Sequence, residues 1–110
     1  SQYFYLKRSG LRWTSQLFIS LFNGKSAEIA QAAAKSIRFG LDDSHPERVG
    51  ETNEDDLLEE LYQCIAVVEM LQENKNLKTL TNEEIQCIKN KKKEKMIKYM
   101  SYSKEKGQLN

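Results

Sequence analysis

The side chains with most chemical potential lie in two stretches, Leu21-Phe-Asn-Gly-Lys-Ser-Ala-Glu-Ile-Ala-Gln31 and Glu59-Glu-Leu-Tyr-Gln-Cys-Ile-Ala-Val-Val-Glu-Met-Leu71. Lys25 and Glu28 stand one helical turn apart, as do Glu60 and Gln63, so each pair shares a helix face. Taken alone, Glu28 and Glu60 read as surface carboxylates, the ordinary location of the type. Lys35 and Arg38 have the chemistry to contact phosphates, or to form surface salt bridges. His45, the only histidine, precedes Pro46 and reads as a loop residue rather than a base. The run Lys89–Lys98 is either a phosphate or nucleic-acid patch or, more commonly for such runs, a solvated helix face. Trp13, Phe18, Phe22 and Phe39 can stack on a nucleobase, but core packing is the expected role of such rings. A catalytic triad, a phosphate-binding loop and a zinc signature are all missing from the sequence.

Those side chains need helices to place them. The chain has 110 residues, 39% hydrophobic and 30% charged, with one proline, which suits a single all-α domain over 1–110. Apolar spacing and turn signals predict helices over about 14–22, 26–39, 54–73 and 82–103. Asn23-Gly24 separates the first two, and 40–53 forms a loop. Ala30, Ala32, Ala33 and Ala34 make the second helix thin enough for close approach. The third opens on Thr52 with acidic residues in its first turn and carries the stripe Leu57, Leu61, Cys64, Ile65, Val68 and Leu71. The fourth opens on the capping-box pattern Thr81-Asn82-Glu83-Glu84. Such amphipathic helices must pack together, so a bundle follows.

Net charge is +1, too small for a global field to draw the chain to nucleic acid or a membrane, although 42–60 is mostly acidic and 89–98 mostly basic. No stretch reaches the roughly 18 apolar residues of a membrane span, and residues 1–10 lack the shape of a signal peptide. Cys64 and Cys87 are spaced as neither a zinc site nor a CxxC motif and read as buried thiols. A reducing cytoplasm is the expected setting, with no membrane partner.

The two quoted stretches, together with Lys35-Ser-Ile-Arg-Phe-Gly-Leu-Asp-Asp43, resemble the motifs of MazG-like nucleoside triphosphate pyrophosphohydrolases. The ending Lys-Tyr-Met-Ser-Tyr-Ser-Lys-Glu-Lys-Gly-Gln-Leu109 is similar to the tail of a phage-encoded branch. The resemblance covers about 10–109. It implies a helical bundle assembled as a dimer or tetramer, in which Glu-Glu-x-x-Glu on one helix and Glu-x-x-Asp on a later one hold magnesium on a nucleotide triphosphate. Magnesium takes oxygen ligands in near-octahedral geometry and helps generate the attacking hydroxide. Glu28 and Glu60 keep two of the family's ligand positions, whereas Gly24, Lys25 and Gln63 stand at the other three.

An ammonium has no lone pair to give a metal. Counting Glu28, Glu60 and Lys25, the site's charge falls to about −1, so magnesium should bind weakly or not at all. The ammonium of Lys25 then has the option of standing in the cation's place between Glu28 and Glu60; a competing arrangement recruits Glu59, Asp55 or Asp56 as replacement ligands. Candidate nucleotide or phosphate contacts are Lys35, Arg38, Lys95, Lys98 and Tyr102. The expected function is non-catalytic binding of a nucleotide or a host protein, in a bacterial host cytoplasm if the chain is phage-encoded. The alternatives are an active magnesium-dependent pyrophosphohydrolase with a rearranged metal site and, behind it, nucleic-acid binding through the basic C-terminal helix; nucleic acid is not the expected partner.

Overall fold

The computed structural model describes residues 15–107, all-helical apart from turns and an isolated bridge between Ser44 and Thr52. Among the described residues three helices follow one another: α1 (Ser15–Phe39), α2 (Asn53–Glu73) and α3 (Asn82–Glu105). Trp13 lies outside the described residues, as does the side chain of Phe18. The chain divides into two compact units, one ending at Lys78 and one beginning at Thr79. Each is described by itself below.

In the first unit, α1 and α2 pack as a hairpin. The break predicted at Asn23-Gly24 is absent, and α1 runs unbroken for 25 residues. A glycine inside a helix costs about 1 kcal/mol relative to alanine, less than is lost by ending one helix and nucleating another. The good helix formers from Lys25 to Ala34 carry the helix across. α1 ends at Gly40, whose φ of 93° lies in the left-handed region that glycine enters freely, and whose N–H donates to the Ser36 carbonyl at 2.9 Å.

The loop from Gly40 returns the chain to α2 through Asn53, which is buried. Its side-chain Nδ2 donates to the Gly40 carbonyl at 2.9 Å and its backbone N–H to the Asp43 carbonyl at 2.8 Å, while the Glu54 N–H reaches the Leu41 carbonyl at 3.1 Å. Both ends of the loop are thereby clamped to the start of α2. Thr52 caps that start: its hydroxyl accepts from the Asp55 N–H at 3.2 Å, and the Asp55 carboxylate accepts the Thr52 N–H at 3.1 Å. Asp55 is held below the usual carboxylate range by that backbone hydrogen bond and by one from the Thr52 hydroxyl. Asn74 closes α2.

Among the described residues the buried apolar side chains are Ala32 and Leu71. Much of the α2 stripe stays open, with Leu61 40% and Ile65 49% exposed. In the second unit, α3 begins with the capping box of Thr81 and Glu84. Ile88, Met96, Tyr99 and Met100 are exposed on it. The expectation of two buried thiols needs correction, since Cys64 is half-buried and Cys87 exposed. Cys87 lies on the same stretch of helix as the charged and amide side chains of Glu83, Gln86, Asn90 and Lys91. No helix among the described residues is long and apolar enough to cross a membrane.

Candidate functional site

The site lies where α1 and α2 face one another. Positions 25, 28, 32 and 35 of α1 recur at helical spacing, as do 56, 60 and 63 of α2, so each set forms one stripe. Buried Ala32 lets the two stripes approach. Across the gap, the Lys25 Nζ donates to Glu28 Oε2 at 2.7 Å, to Glu60 Oε2 at 2.7 Å and to Gln63 Oε1. An ammonium has three N–H donors, and all three are engaged.

The electrostatics follow from that placement. The Lys25 side chain is 12% exposed, against 25% for Glu60 and 55% for Glu28. Burial by itself pulls the ammonium pKa down, but hydrogen bonds to Glu28 and Glu60 and the charges of both carboxylates outweigh it, leaving Lys25 above the ordinary lysine value. Glu28 is held below the usual carboxylate range, first by the hydrogen bond from Lys25 and further by the charge of Lys25. Lys25 is therefore a charged ammonium and Glu28 a carboxylate anion at neutral pH.

The other acidic residues at the start of α2 have local partners. Asp55 serves the cap, and Asp56 takes Arg48, with Nη2 to Oδ2 at 3.1 Å and Nη1 to Oδ1 at 3.4 Å. Arg48 also reaches Glu51 at 3.3 Å. Glu59 is exposed and receives only a long contact from Gln63 Nε2, 3.5 Å. These residues do not fit a divalent cation as arranged. The ammonium fills the point that Glu28, Glu60 and Gln63 share, and among the described residues no group of three or more His, Cys, Asp or Glu side chains is placed to hold a metal.

A cleft of about 250 Å³ opens beside the Lys25 cluster, lined by Glu28, Lys35, Arg48, Asp56, Glu59 and Glu60 among others. A second cleft of about 250 Å³ adjoins it, sharing Lys35, Arg48 and Asn53 and walled by Phe39, His45 and Pro46. The expectation that Phe39 packs in a core is thus corrected: it sits at the end of α1, 56% exposed, because the chain turns away at Gly40 before another element covers it. Arg38 stacks over the Phe39 ring at 5.0 Å. Lys95, Lys98 and Tyr102 lie exposed on α3 in the other unit, with the Lys106 ammonium 5.5 Å from the Tyr102 ring.

The sequence reading missed Arg48 and Asn53. Both sit in or beside the non-periodic loop, and only the return of that loop onto α2 brings them to the cleft. A lone arginine among acidic residues between Pro46 and Asp56 was the available signal. Compared with known proteins, the chain matches no family model, no curated protein and no solved structure.

Proposed function

We propose that this chain is a MazG-like helical protein in which a lysine ammonium has replaced a bound metal, and that it acts by binding a nucleotide or a host protein rather than by hydrolysing nucleoside triphosphates. One observation carries the reading: the Lys25 Nζ lies 2.7 Å from carboxylate oxygens of both Glu28 and Glu60, the point where a cation would bridge the two helices. An ammonium there neutralises and orients the carboxylates but cannot polarise a phosphoryl oxygen as a Lewis acid or lower the pKa of a bound water. Self-association is part of the proposal. Leu58, Leu61 and Ile65 of α2 are exposed, and a second copy would remove them from water. A bacterial cytoplasm is the setting proposed.

Pyrophosphate release from a panel of deoxynucleoside triphosphates, with magnesium and then with manganese, tests the catalytic half. No turnover above background is expected; release at an ordinary enzymatic rate, about 1 per second or faster, would overturn it. Light scattering of the same preparation at micromolar concentration should give the mass of a dimer or larger, and a monomer mass would remove the assembly from the reading.

A further inference from the structure

Lys35 is the cation that the Lys25 cluster leaves over. It is exposed, lines both clefts and has no ion pair or hydrogen bond among the described residues. Arg48 faces the same space but is shared with Asp56 and Glu51. The charge differs on either side of Lys35. Toward Lys25, Glu28, Asp56, Glu59 and Glu60 make the first cleft acidic. Away from it, Lys35 and one edge of Arg48 face the second cleft beside Asp43, and Phe39 and Pro46 supply apolar walls. His45 adds a donor, because its Nδ1 accepts the Glu47 N–H at 3.2 Å and so leaves Nε2 to carry the proton.

Resting on the binding reading above, we infer that the second cleft takes a small ring compound bearing a single phosphate monoester, without a metal. The phosphate pairs with Lys35 and the free side of Arg48, while the ring lies on Phe39 and Pro46. A volume of about 250 Å³ falls just below the roughly 300–1,000 Å³ of pockets for larger ligands, which suits one ring and one phosphate. A triphosphate is disfavoured by charge: its further phosphates would run into the first cleft toward the Glu59 carboxylate, which is not paired with Lys25.

The test is calorimetric titration of the whole chain with phenyl phosphate, a pyrimidine nucleoside monophosphate and the matching triphosphate, each with EDTA and with magnesium. The monophosphates should bind equally in both conditions and more tightly than the triphosphate in EDTA. Lys35→Ala should weaken monophosphate binding about tenfold by removing one charge-assisted contact. Asp43→Asn should tighten it. As Lys35 has no partner among the described residues, the melting midpoint of the protein should be unchanged in the variant, which separates lost contact from lost fold. Equal affinity for Lys35→Ala and wild type, or tightest binding by the magnesium triphosphate, would overturn the inference. Absence of monophosphate binding in a protein that also lacks turnover refutes this site alone, whereas turnover with magnesium refutes the binding reading beneath it.

Discussion

Replacing Lys25 with methionine should lower the melting midpoint by roughly 8 °C and reverse the slope of stability against pH on the acid side. Methionine keeps much of the stem's packing but deletes the ammonium, so Glu60, 25% exposed, loses its charged donor and is left facing Glu28. Loss of one charge-assisted hydrogen bond at a partly buried position costs about 2 kcal/mol; the bond to half-exposed Glu28 adds little, because solvent screens it. In the wild type, the depressed Glu28 pKa contributes stability that is present above the ordinary carboxylate range and lost as pH falls through the lowered value. The raised Lys25 pKa contributes stability that is present below the ordinary lysine range and lost as pH rises through the raised value. Wild type should thus be flat between those ranges. Lys25→Met has two repelling carboxylates instead, so protonating one relieves strain, and stability should rise as pH falls through the carboxylate range. Melting curves at a series of pH values read both effects; a variant melting within a degree of wild type, with the same acid slope, would show that the ammonium does not hold the helices.

The second large effect comes from rebuilding an anionic site. Lys25→Glu with Gln63→Asp replaces the ammonium and its amide partner with two carboxylates, a local charge change of about −3. Without metal, Glu28, Glu60 and the two new anions should repel and melt the hairpin well below wild type. Magnesium that binds only the folded state restores about 2.7 kcal/mol at a hundredfold excess over its dissociation constant. Wild type should show no such response. A double variant indifferent to magnesium would mean that the four positions do not converge on one point, and a wild type that itself melts higher with magnesium would mean that Lys25 can be displaced. Gly24→Glu is the next position to add, as nothing lies within 4 Å of a Cβ built there.

The pairing within each helix was legible because it rests on periodicity, whereas the meeting of the two pairs was expected only from the resemblance of their stretches to the MazG-like motifs. Lys25 with Glu28 and Glu60 with Gln63 are one turn apart whatever the helices pack against, and the caps at Thr52 and Thr81 are written in three or four adjacent residues. The Asn23-Gly24 signal misled because it is equally local, and the stronger helix formers after it decide the outcome. Nothing local could show that the loop returns so that Asn53 holds Gly40, or that Arg48 would take Asp56 out of contention as a ligand. These contacts depend on a chain reversal that has no period. Nor could amphipathicity tell which apolar residues stay uncovered: Leu61 and Leu71 lie on the same predicted stripe, yet one is exposed and the other buried.

A cation that is part of the chain has no dissociation constant. The stability a protein draws from a bound ion rises and falls with the free concentration of that ion; the bridge made by Lys25 needs no free ion to form, because its cation is carried by the chain. What can still loosen it is screening by ordinary salt, weakened here because Lys25 is largely shielded from solvent. The hairpin is also committed. A metal-bridged pair of helices can be emptied and refilled, and so can report on its surroundings, whereas here the bridging charge is covalently part of one of the two helices.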